Sequence, residues 1–389
     1  MKISDLSVVI ASHEFATGPS QNLEEFCINK KTKKLLFLSH PLFYEEKPVD
    51  SWRYYEKGKM IKRQSKKIDF KINPLNYIKE IILNIFWVIR TDQKWDLYVG
   101  SDCLNAFSGI ILKKLGKVKK TVYYCIDYVP ERFQNKALNS IYHWIEIFCV
   151  KHSDVTWDLS PRMREAREKF HNLSFSYRSK QVLVPEGVWF GRIKRYPIEK
   201  TDLNSIIYSG QLAERLGVHK VIEAVPIIIK YLPNFKFIIT GKGDYGKELE
   251  KLTKKLNVQK YIIFKGFIES HQELEKIIAR CVVGVAPYSD EEKTFSYYCD
   301  PSKTKVYMGC GLPVIMTDVF YNAKDIEKAG AGKIISYDPK DIAKTLISIV
   351  DNKKTLAKYK TSAVEYIQKY DWNIILNSAL NPLFRNEKN

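Results

Sequence analysis

The sequence predicts an α/β protein built from two successive, doubly wound, Rossmann-like domains. Its 389 residues exceed what one hydrophobic core comfortably holds, so two domains are expected. Short apolar runs alternate with helical patterns along the chain, which is typical of parallel sheets covered by helices on both faces. We expect a first domain over residues 1–190, a basic linker over 191–204, a second domain over 205–370 and a final segment over 371–389. Such halves place a ligand cleft at the carboxyl ends of the strands.

The elements of the first half follow from hydrophobic periodicity. Apolar runs bounded by polar or turn residues predict strands at Leu6–Ala11, Lys34–Ser39, Leu97–Gly100, Thr121–Ile126, Val155–Leu159 and Val182–Val184. Helical spacing predicts helices at Asn22–Asn29, Ile78–Arg90, Leu104–Leu115, Ala137–Val150 and Pro161–His171. A second series of strands and helices begins at Ser205 and runs to about Asp351. Two helices then follow, at Lys354–Lys369 and Trp372–Leu380.

Cysteine and histidine usage points to a reducing compartment and to a protein without a metal site. The seven cysteines form no CxxC pair, and no His-x-x-x-His occurs. No signal-peptide pattern opens the sequence. The longest apolar run, Ile81–Ile89, is far shorter than the roughly 20 residues that cross a bilayer. We therefore expect a cytoplasmic protein with no metal, no cofactor and no membrane-spanning segment.

The charge of the chain is strongly positive, and the excess is concentrated. The net charge is +19. Basic residues crowd one segment, at Lys57, Lys59, Lys62, Arg63, Lys66, Lys67 and Lys71, just before the apolar helix Ile78–Arg90, and a second cluster lies at Lys113, Lys114, Lys117, Lys119 and Lys120. Basic residues beside an apolar helix fit attachment to an anionic membrane surface. A merely solvated, lysine-rich surface is the alternative. No nucleic-acid-binding motif is present, so nucleic acid is not an expected partner.

The most informative segment is Cys299–Ile315, which predicts a helix running into a buried strand. Asp300 is a suitable cap, Pro301 suits the first turn, and Ser302 and Lys303 follow at the positive end of the helix. A helix N-terminus with an adjacent lysine is suited to binding a phosphate group. An ordinary capped helix of an α/β unit is the alternative interpretation.

Four further segments agree with a nucleotide-binding second half. They are apolar runs that end in glycine or proline, at Ile206–Leu212, Phe237–Asp244, Ile263–Phe267 and Val283–Tyr288. Together with Cys299–Ile315 they resemble the donor-binding domain of the GT-B glycosyltransferases, particularly the retaining family 4, also called glycosyl transferases group 1. The resemblance implies a GT-B fold, with an N-terminal acceptor domain, a C-terminal nucleotide-sugar domain and a crossover helix over 371–389.

The resemblance also implies a set of donor-binding residues. Lys303 and the amides at the start of its helix would neutralise the diphosphate, and glycines would let the backbone approach the donor. The set is Gly18, Gly210, Gln211, Arg215, Gly241, Gly243, Asp300, Ser302, Lys303 and Tyr307.

The sequence departs from the family pattern at four positions of this site. Gln211 and Leu216 stand where the family usually carries an Arg and a Lys, and Tyr298 and Val306 stand where it carries two glutamates. Arg215 and Lys242 are the candidate substitutes for the missing cations. Recognition of the sugar and the ribose therefore has no assigned residues.

Two residues are candidates for catalysis, Lys303 and Asp127. Asp127 follows the strand Thr121–Ile126, close to where the family often places a histidine of the catalytic site. A carboxylate at a strand end can accept the proton of an acceptor hydroxyl, and transfer would then be inverting. The alternative is that Asp127 caps a helix or pairs with Arg132.

The sequence as a whole predicts a metal-independent hexosyltransferase. It would take a UDP- or GDP-linked sugar as donor and a lipid-linked or polysaccharide acceptor, on the inner face of the cell membrane. The alternatives are a catalytically silent GT-B subunit, which binds a sugar nucleotide or a partner transferase, and a GT-B sugar-nucleotide epimerase.

Overall fold

A computed structural model describes residues 2–13, 18–42, 49–67, 73–290 and 295–384. The chain divides into two compact units, Met1–Pro185 with Ile375–Asn389, and Glu186–Ile374. Each unit is a parallel or mostly parallel sheet with helices packed on it, as the alternation of apolar runs predicts.

The first unit has a sheet of eight strands among its described residues. The strands are β1 (Ser7–His13), β2 (Lys34–His40), β3 (Asp50–Glu56), β4 (Lys59–Lys66), β5 (Trp95–Ser101), β6 (Val118–Cys125), β7 (Val155–Asp158) and β8 (Gln181–Leu183). The helices are α1 (Pro19–Asn29), α2 (Asn73–Ile89), α3 (Cys103–Lys114), α4 (Lys136–His152) and α5 (Pro161–His171). The spatial order is β4-β3-β2-β1-β5-β6-β7-β8, in which β3 and β4 are antiparallel to their neighbours.

The antiparallel pair β3–β4 is the element that the sequence patterns did not predict. A two-residue turn at Lys57 and Gly58 joins the strands, with φ angles of 47° and 78° that suit a tight hairpin. All of β4 is exposed, so its lysines replace the apolar alternation by which a strand is normally recognised. Most of the expected basic cluster therefore lies on this edge strand, with Lys57 in the turn before it and Lys67 just after it, while Lys71 lies outside the described residues.

The second unit has a fully parallel sheet in the order β11-β10-β9-β12-β13-β14. Its strands are β9 (Ser205–Ser209), β10 (Lys236–Thr240), β11 (Ile262–Gly266), β12 (Val283–Ala286), β13 (Val314–Met316) and β14 (Gly332–Ile334). Its helices are α6 (Val218–Ile228), α7 (Gly246–Lys255), α8 (His271–Ala279), α9 (Phe295–Tyr298), α10 (Ser302–Gly309), α11 (Ala323–Lys328), α12 (Pro339–Val350) and α13 (Lys353–Ile367). The boundary between the units falls within α14 (Trp372–Leu380).

The start of α14 is tied to the first residues of the second unit. The amide of Val188 donates to the carbonyl of Tyr370 at 2.9 Å, and the amide of Trp372 donates to the carbonyl of Val188 at 3.0 Å. The carboxylate of Asp371 accepts from the amide of Phe190 at 2.9 Å. These bonds hold the first and last residues of the second unit together, where the chain enters and leaves that unit.

Candidate functional site

The site is built at the carboxyl ends of β9 and β10, with one side chain brought from α10. Helix α10 begins at Ser302 and has Pro301 as its extended N-cap residue. The expectation that Asp300 caps this helix is wrong. The Asp300 carboxylate instead forms a buried ion pair with Lys305 and accepts a hydrogen bond from the amide of Glu186 at 2.9 Å. Lys305 is fully buried and needs a counter-charge, which is why Asp300 turns towards it.

Lys303 lies two residues earlier on the same helix and has very different surroundings. Its Nζ atom donates to the Tyr208 hydroxyl at 2.9 Å. The same atom lies 4.0 Å from the centre of the Tyr208 ring and 4.8 Å from that of Tyr288. Burial, together with the nearby charge of Arg215, holds the pKa of Lys303 well below its usual range.

Two glycines shape the backbone at the strand ends. Gly210 and Gly241 have φ angles of +136° and +126°, which side chains rarely adopt. A Cβ on Gly241 would lie 1.8 Å from the carbonyl oxygen of Gly210, and one on Gly210 would lie 3.0 Å from the Nζ of Lys303. The two loops therefore touch through backbone, and the absence of a Cβ on Gly210 lets the Lys303 ammonium lie close to this turn. Gly243 continues the same contact against the carbonyl of Leu212.

Three cations gather at this edge of the sheet. The Arg215 guanidinium donates to the Gln211 side-chain carbonyl at 3.3 Å, and both side chains are exposed. Lys242, on the facing loop, lies 4.9 Å from the Phe267 ring centre. Within the described ranges, neither Lys303, Arg215 nor Lys242 forms an ion pair with a carboxylate. This arrangement suits an anionic ligand with more than one charge.

Other predicted site residues support the site from behind. The Tyr307 hydroxyl accepts a hydrogen bond from the amide of Ser209 at 2.7 Å, and its ring packs where a Cβ on Gly284 would lie. Tyr307 is fully buried. Leu216 is also buried in the core of the second unit, while Ser302 is exposed at the first position of α10.

Gly18 and Asp127 belong to the first unit. Gly18 is the N-cap residue of α1, with an extended φ of −171° that any residue can adopt. Asp127 is exposed, two residues beyond the end of β6. Burial opposes the charge of Arg132, but Tyr142 and Asp127 raise the pKa of Arg132 above its usual value. Asp127 therefore acts electrostatically on Arg132.

The first unit also holds a charged cluster that sequence reasoning missed. The His13 ring, at the end of β1, lies 3.1 Å from Asp102 and 3.4 Å from Glu80. Burial opposes protonation, yet these two carboxylates raise the pKa of His13 to about 10. Asp102 caps α3 with φ of 75° and ψ of 168°, a conformation otherwise nearly confined to glycine. The three residues are far apart in sequence, so no local signal reveals the cluster.

Comparison with solved structures identifies the fold. The chain is similar to the crystal structure of Anabaena HepE in complex with UDP, with a TM-score of 0.71 and 14% identity over 97% of this chain and 99% of that one. The fold is thus the two-domain GT-B arrangement of Rossmann-like units that the resemblance implied.

Sequence comparison matches part of the chain to a family model. Residues 192–366 match the family model described as "Glycosyl transferases group 1", which confirms the resemblance over this segment. The chain is 22% identical to a phosphatidyl-myo-inositol mannosyltransferase of Mycolicibacterium smegmatis, over 51% of this chain and 50% of that protein. It is 23% identical to a poly(glycerol-phosphate) alpha-glucosyltransferase of Bacillus subtilis, over 49% of this chain and 29% of that protein. The chain thus spans half or less of the length of these two curated relatives.

Proposed function

We propose that this protein is a glycosyltransferase that moves a hexose from a UDP- or GDP-linked donor to a lipid-linked or polysaccharide acceptor. The observation that carries the proposal is the position of the Lys303 ammonium beside the Gly210 turn, with Arg215 nearby and, among the described residues, no carboxylate paired to either cation. A nucleoside diphosphate is the anion that such a strand edge typically receives in a Rossmann-like domain. The family match and the names of the relatives, a mannosyltransferase and a glucosyltransferase, support the same class.

The proposed chemistry depends on charge that develops on the leaving group. As the bond between the sugar and the diphosphate breaks, negative charge grows on the phosphate oxygens. Lys303 and Arg215 would stabilise that charge, helped by the free amides at the first turn of α10. Arg215, and Lys242 on the facing loop, would take the place of the Arg and Lys that the family usually carries at the positions of Gln211 and Leu216, and they would add to the charge of Lys303. We propose that they also make a metal ion unnecessary.

On the acceptor side, we propose Asp127 as the group that takes the proton of the acceptor hydroxyl. Its carboxylate is exposed beyond the carboxyl end of β6, where ligands bind in a parallel sheet. Asp127→Asn should then reduce kcat with little change in the KM for the donor. The electrostatic link between Asp127 and Arg132 is compatible with this role.

We further propose that the first unit attaches to an anionic membrane surface, on the cytoplasmic side. Helix α2 exposes large apolar side chains at a spacing of three or four residues, namely Leu75, Ile78, Ile82, Phe86 and Ile89. Its opposite face buries Lys79, Glu80 and Asn84, so the usual orientation of an amphipathic helix is reversed. Within the described ranges, no helix combines the length and the apolar character that crossing a bilayer requires.

Exposed cations lie on β4, the strand that precedes α2 in the chain. The side chains of Lys59, Lys62, Arg63 and Lys66 are exposed. The second basic cluster is less available, because Lys113 pairs with Asp154 and Lys119 pairs with Asp96. A basic edge with an exposed apolar helix is the combination that binds anionic lipid surfaces.

The test is release of nucleoside diphosphate from UDP- and GDP-hexoses in the presence of lipid and glycan acceptors. Lys303→Ala should abolish release. Lys360→Ala is the matched control, since burial also lowers the pKa of this lysine, to about 8, but it lies on α13. Release at the wild-type rate by Lys303→Ala would overturn the proposed site. Donor binding without release in any acceptor mixture would favour a silent binding subunit instead.

A further inference from the structure

The hydroxyl of Tyr208 forms hydrogen bonds both to the ammonium of Lys303 and to the turn that follows β9. Its oxygen lies 2.9 Å from the Nζ of Lys303 and 2.6 Å from the carbonyl oxygen of Gln211. A carbonyl only accepts and an ammonium only donates. The hydroxyl must therefore donate to Gln211 and accept from Lys303, so the direction of both hydrogen bonds is fixed.

The surroundings of Tyr208 keep its hydroxyl protonated, so that both hydrogen bonds keep their directions. The side chain is fully buried, and burial raises the pKa of the phenol well above its usual value, so the hydroxyl remains protonated. The rings of Tyr208 and Tyr288 both lie close to the ammonium of Lys303, at 4.0 Å and 4.8 Å. Aromatic faces attract a cation without neutralising it.

Helix α10 shows the contrast within one turn. Lys305 is paired with the Asp300 carboxylate, whereas Lys303 contacts a hydroxyl and two rings and, among the described residues, pairs with no carboxylate. One N–H of the Lys303 ammonium is used by Tyr208. The other two remain for a ligand at the Gly210 turn, which the ammonium approaches closely because Gly210 has no side chain.

We infer that Tyr208 is a positioning residue, which aims the Lys303 ammonium at the diphosphate of the donor. This inference rests on the proposed donor site. The inference gives a role to a tyrosine for which the sequence pattern predicts only a place in a buried strand. Tyr208 acts through Lys303 and not by touching the substrate, so its effect must disappear when Lys303 is removed.

The experiment is a double-mutant cycle on nucleotide affinity. UDP and GDP are titrated calorimetrically into the wild type, Tyr208→Phe, Lys303→Met and the double variant, with the exposed Tyr231→Phe as control. Tyr208→Phe keeps the ring and removes only the hydroxyl. We expect it to weaken binding about tenfold in the wild type, as for a hydrogen bond to a charged group, and less than about twofold in the Lys303→Met background.

The outcomes separate this inference from the proposed function. An equal loss in both backgrounds, or wild-type affinity of Tyr208→Phe, would overturn the positioning role and leave the donor site standing. Wild-type affinity of Lys303→Met, or no binding of either nucleotide to the wild type, would overturn both. A second measurement is the fall in affinity with rising pH. It should begin at lower pH in Tyr208→Phe, because the Lys303 ammonium loses its acceptor; an unchanged profile would count against the inference.

Discussion

Asp300 and Lys305 form an ion pair inside the second unit, and both side chains are almost completely buried. The Asp300 carboxylate also accepts a hydrogen bond from the amide of Glu186. The same carboxylate therefore connects the start of the second unit to α10, the helix that carries Lys303. The pair thus fixes α10 in place without contributing charge to the site.

Breaking this pair should destabilise the protein. Lys305→Met leaves the Asp300 carboxyl buried without its cation, and we expect a loss of about 3 kcal/mol in the free energy of unfolding. Chemical denaturation is the measurement. Lys251→Met, which removes an exposed ion pair to Glu248, is the control and should cost less than about 0.5 kcal/mol. Equal losses in the two variants would contradict the structural role of the pair.

The contact between the Gly210 and Gly241 loops gives a second prediction. Gly241→Ala places a Cβ 1.8 Å from a backbone oxygen at an unfavourable φ, so the loops must separate. We expect a cost of about 3 kcal/mol and loss of nucleotide binding. Gly116→Ala is the matched control, because Gly116 also has a positive φ, of +70°, but a Cβ added there would have nothing within 4 Å. It should cost only about 1 kcal/mol, and similar costs at both positions would refute the contact.

Much of the fold follows from sequence because its signals are local. The alternation of apolar strands and amphipathic helices locates α5 at Pro161–His171 as predicted, and most other elements to within a few residues. The hairpin β3–β4 was missed because β4 is exposed along its whole length and carries lysines where a strand normally alternates. The helix α10 and its lysine were predicted, because proline, lysine and glycine mark its ends.

The site was predictable only in part because its contacts are long-range. The local sequence predicts that Asp300 caps α10, but its carboxylate pairs instead with the buried ammonium of Lys305. Tyr208 contacts Lys303 from 95 positions away, and its strand pattern shows only that it is buried. The cluster of His13, Glu80 and Asp102 combines three elements that only the folded sheet brings together.

The stability of the first unit should depend on pH through His13. Its folded pKa of about 10 lies above the ordinary value of 6.5, so its contribution is complete below about pH 6.5 and is lost as the pH rises through 10. Among the residues that the structure describes, the groups that face the ring are Asp102, Glu80 and His40. The difference in unfolding free energy between the wild type and His13→Gln should therefore shrink steadily between about pH 6.5 and pH 10. Denaturant titrations at several pH values measure it.

Two results would argue against this assignment. A difference that stays constant over that range would mean that His13 is not a charged partner of the carboxylates. The ring can also be titrated directly by NMR, where a pKa near the ordinary 6.5 would contradict the cluster. Asp102→Asn provides the control, because removal of one carboxylate should lower the pKa of His13 and flatten the pH dependence.

Membrane attachment should require both the basic strand and the apolar helix face. Reversing the charge of Lys59, Lys62 and Arg63 to Glu should reduce binding to vesicles of anionic lipid by at least about tenfold, since each exposed cation near such a surface contributes about 1 kcal/mol. The same reversal at Lys247, Lys251 and Lys254 on α7 is the matched control.

Replacing Ile82 and Phe86 by Ser should weaken binding at all salt concentrations, because these side chains, 59% and 50% exposed, contribute apolar area instead of charge. Co-sedimentation with vesicles over a range of salt measures both effects. Binding that survives the β4 reversal but not the α7 reversal would place the membrane contact on the second unit. Binding that neither the β4 reversal nor the Ser substitutions on α2 affect would mean that the positive charge of β4 is only a property of a solvated surface.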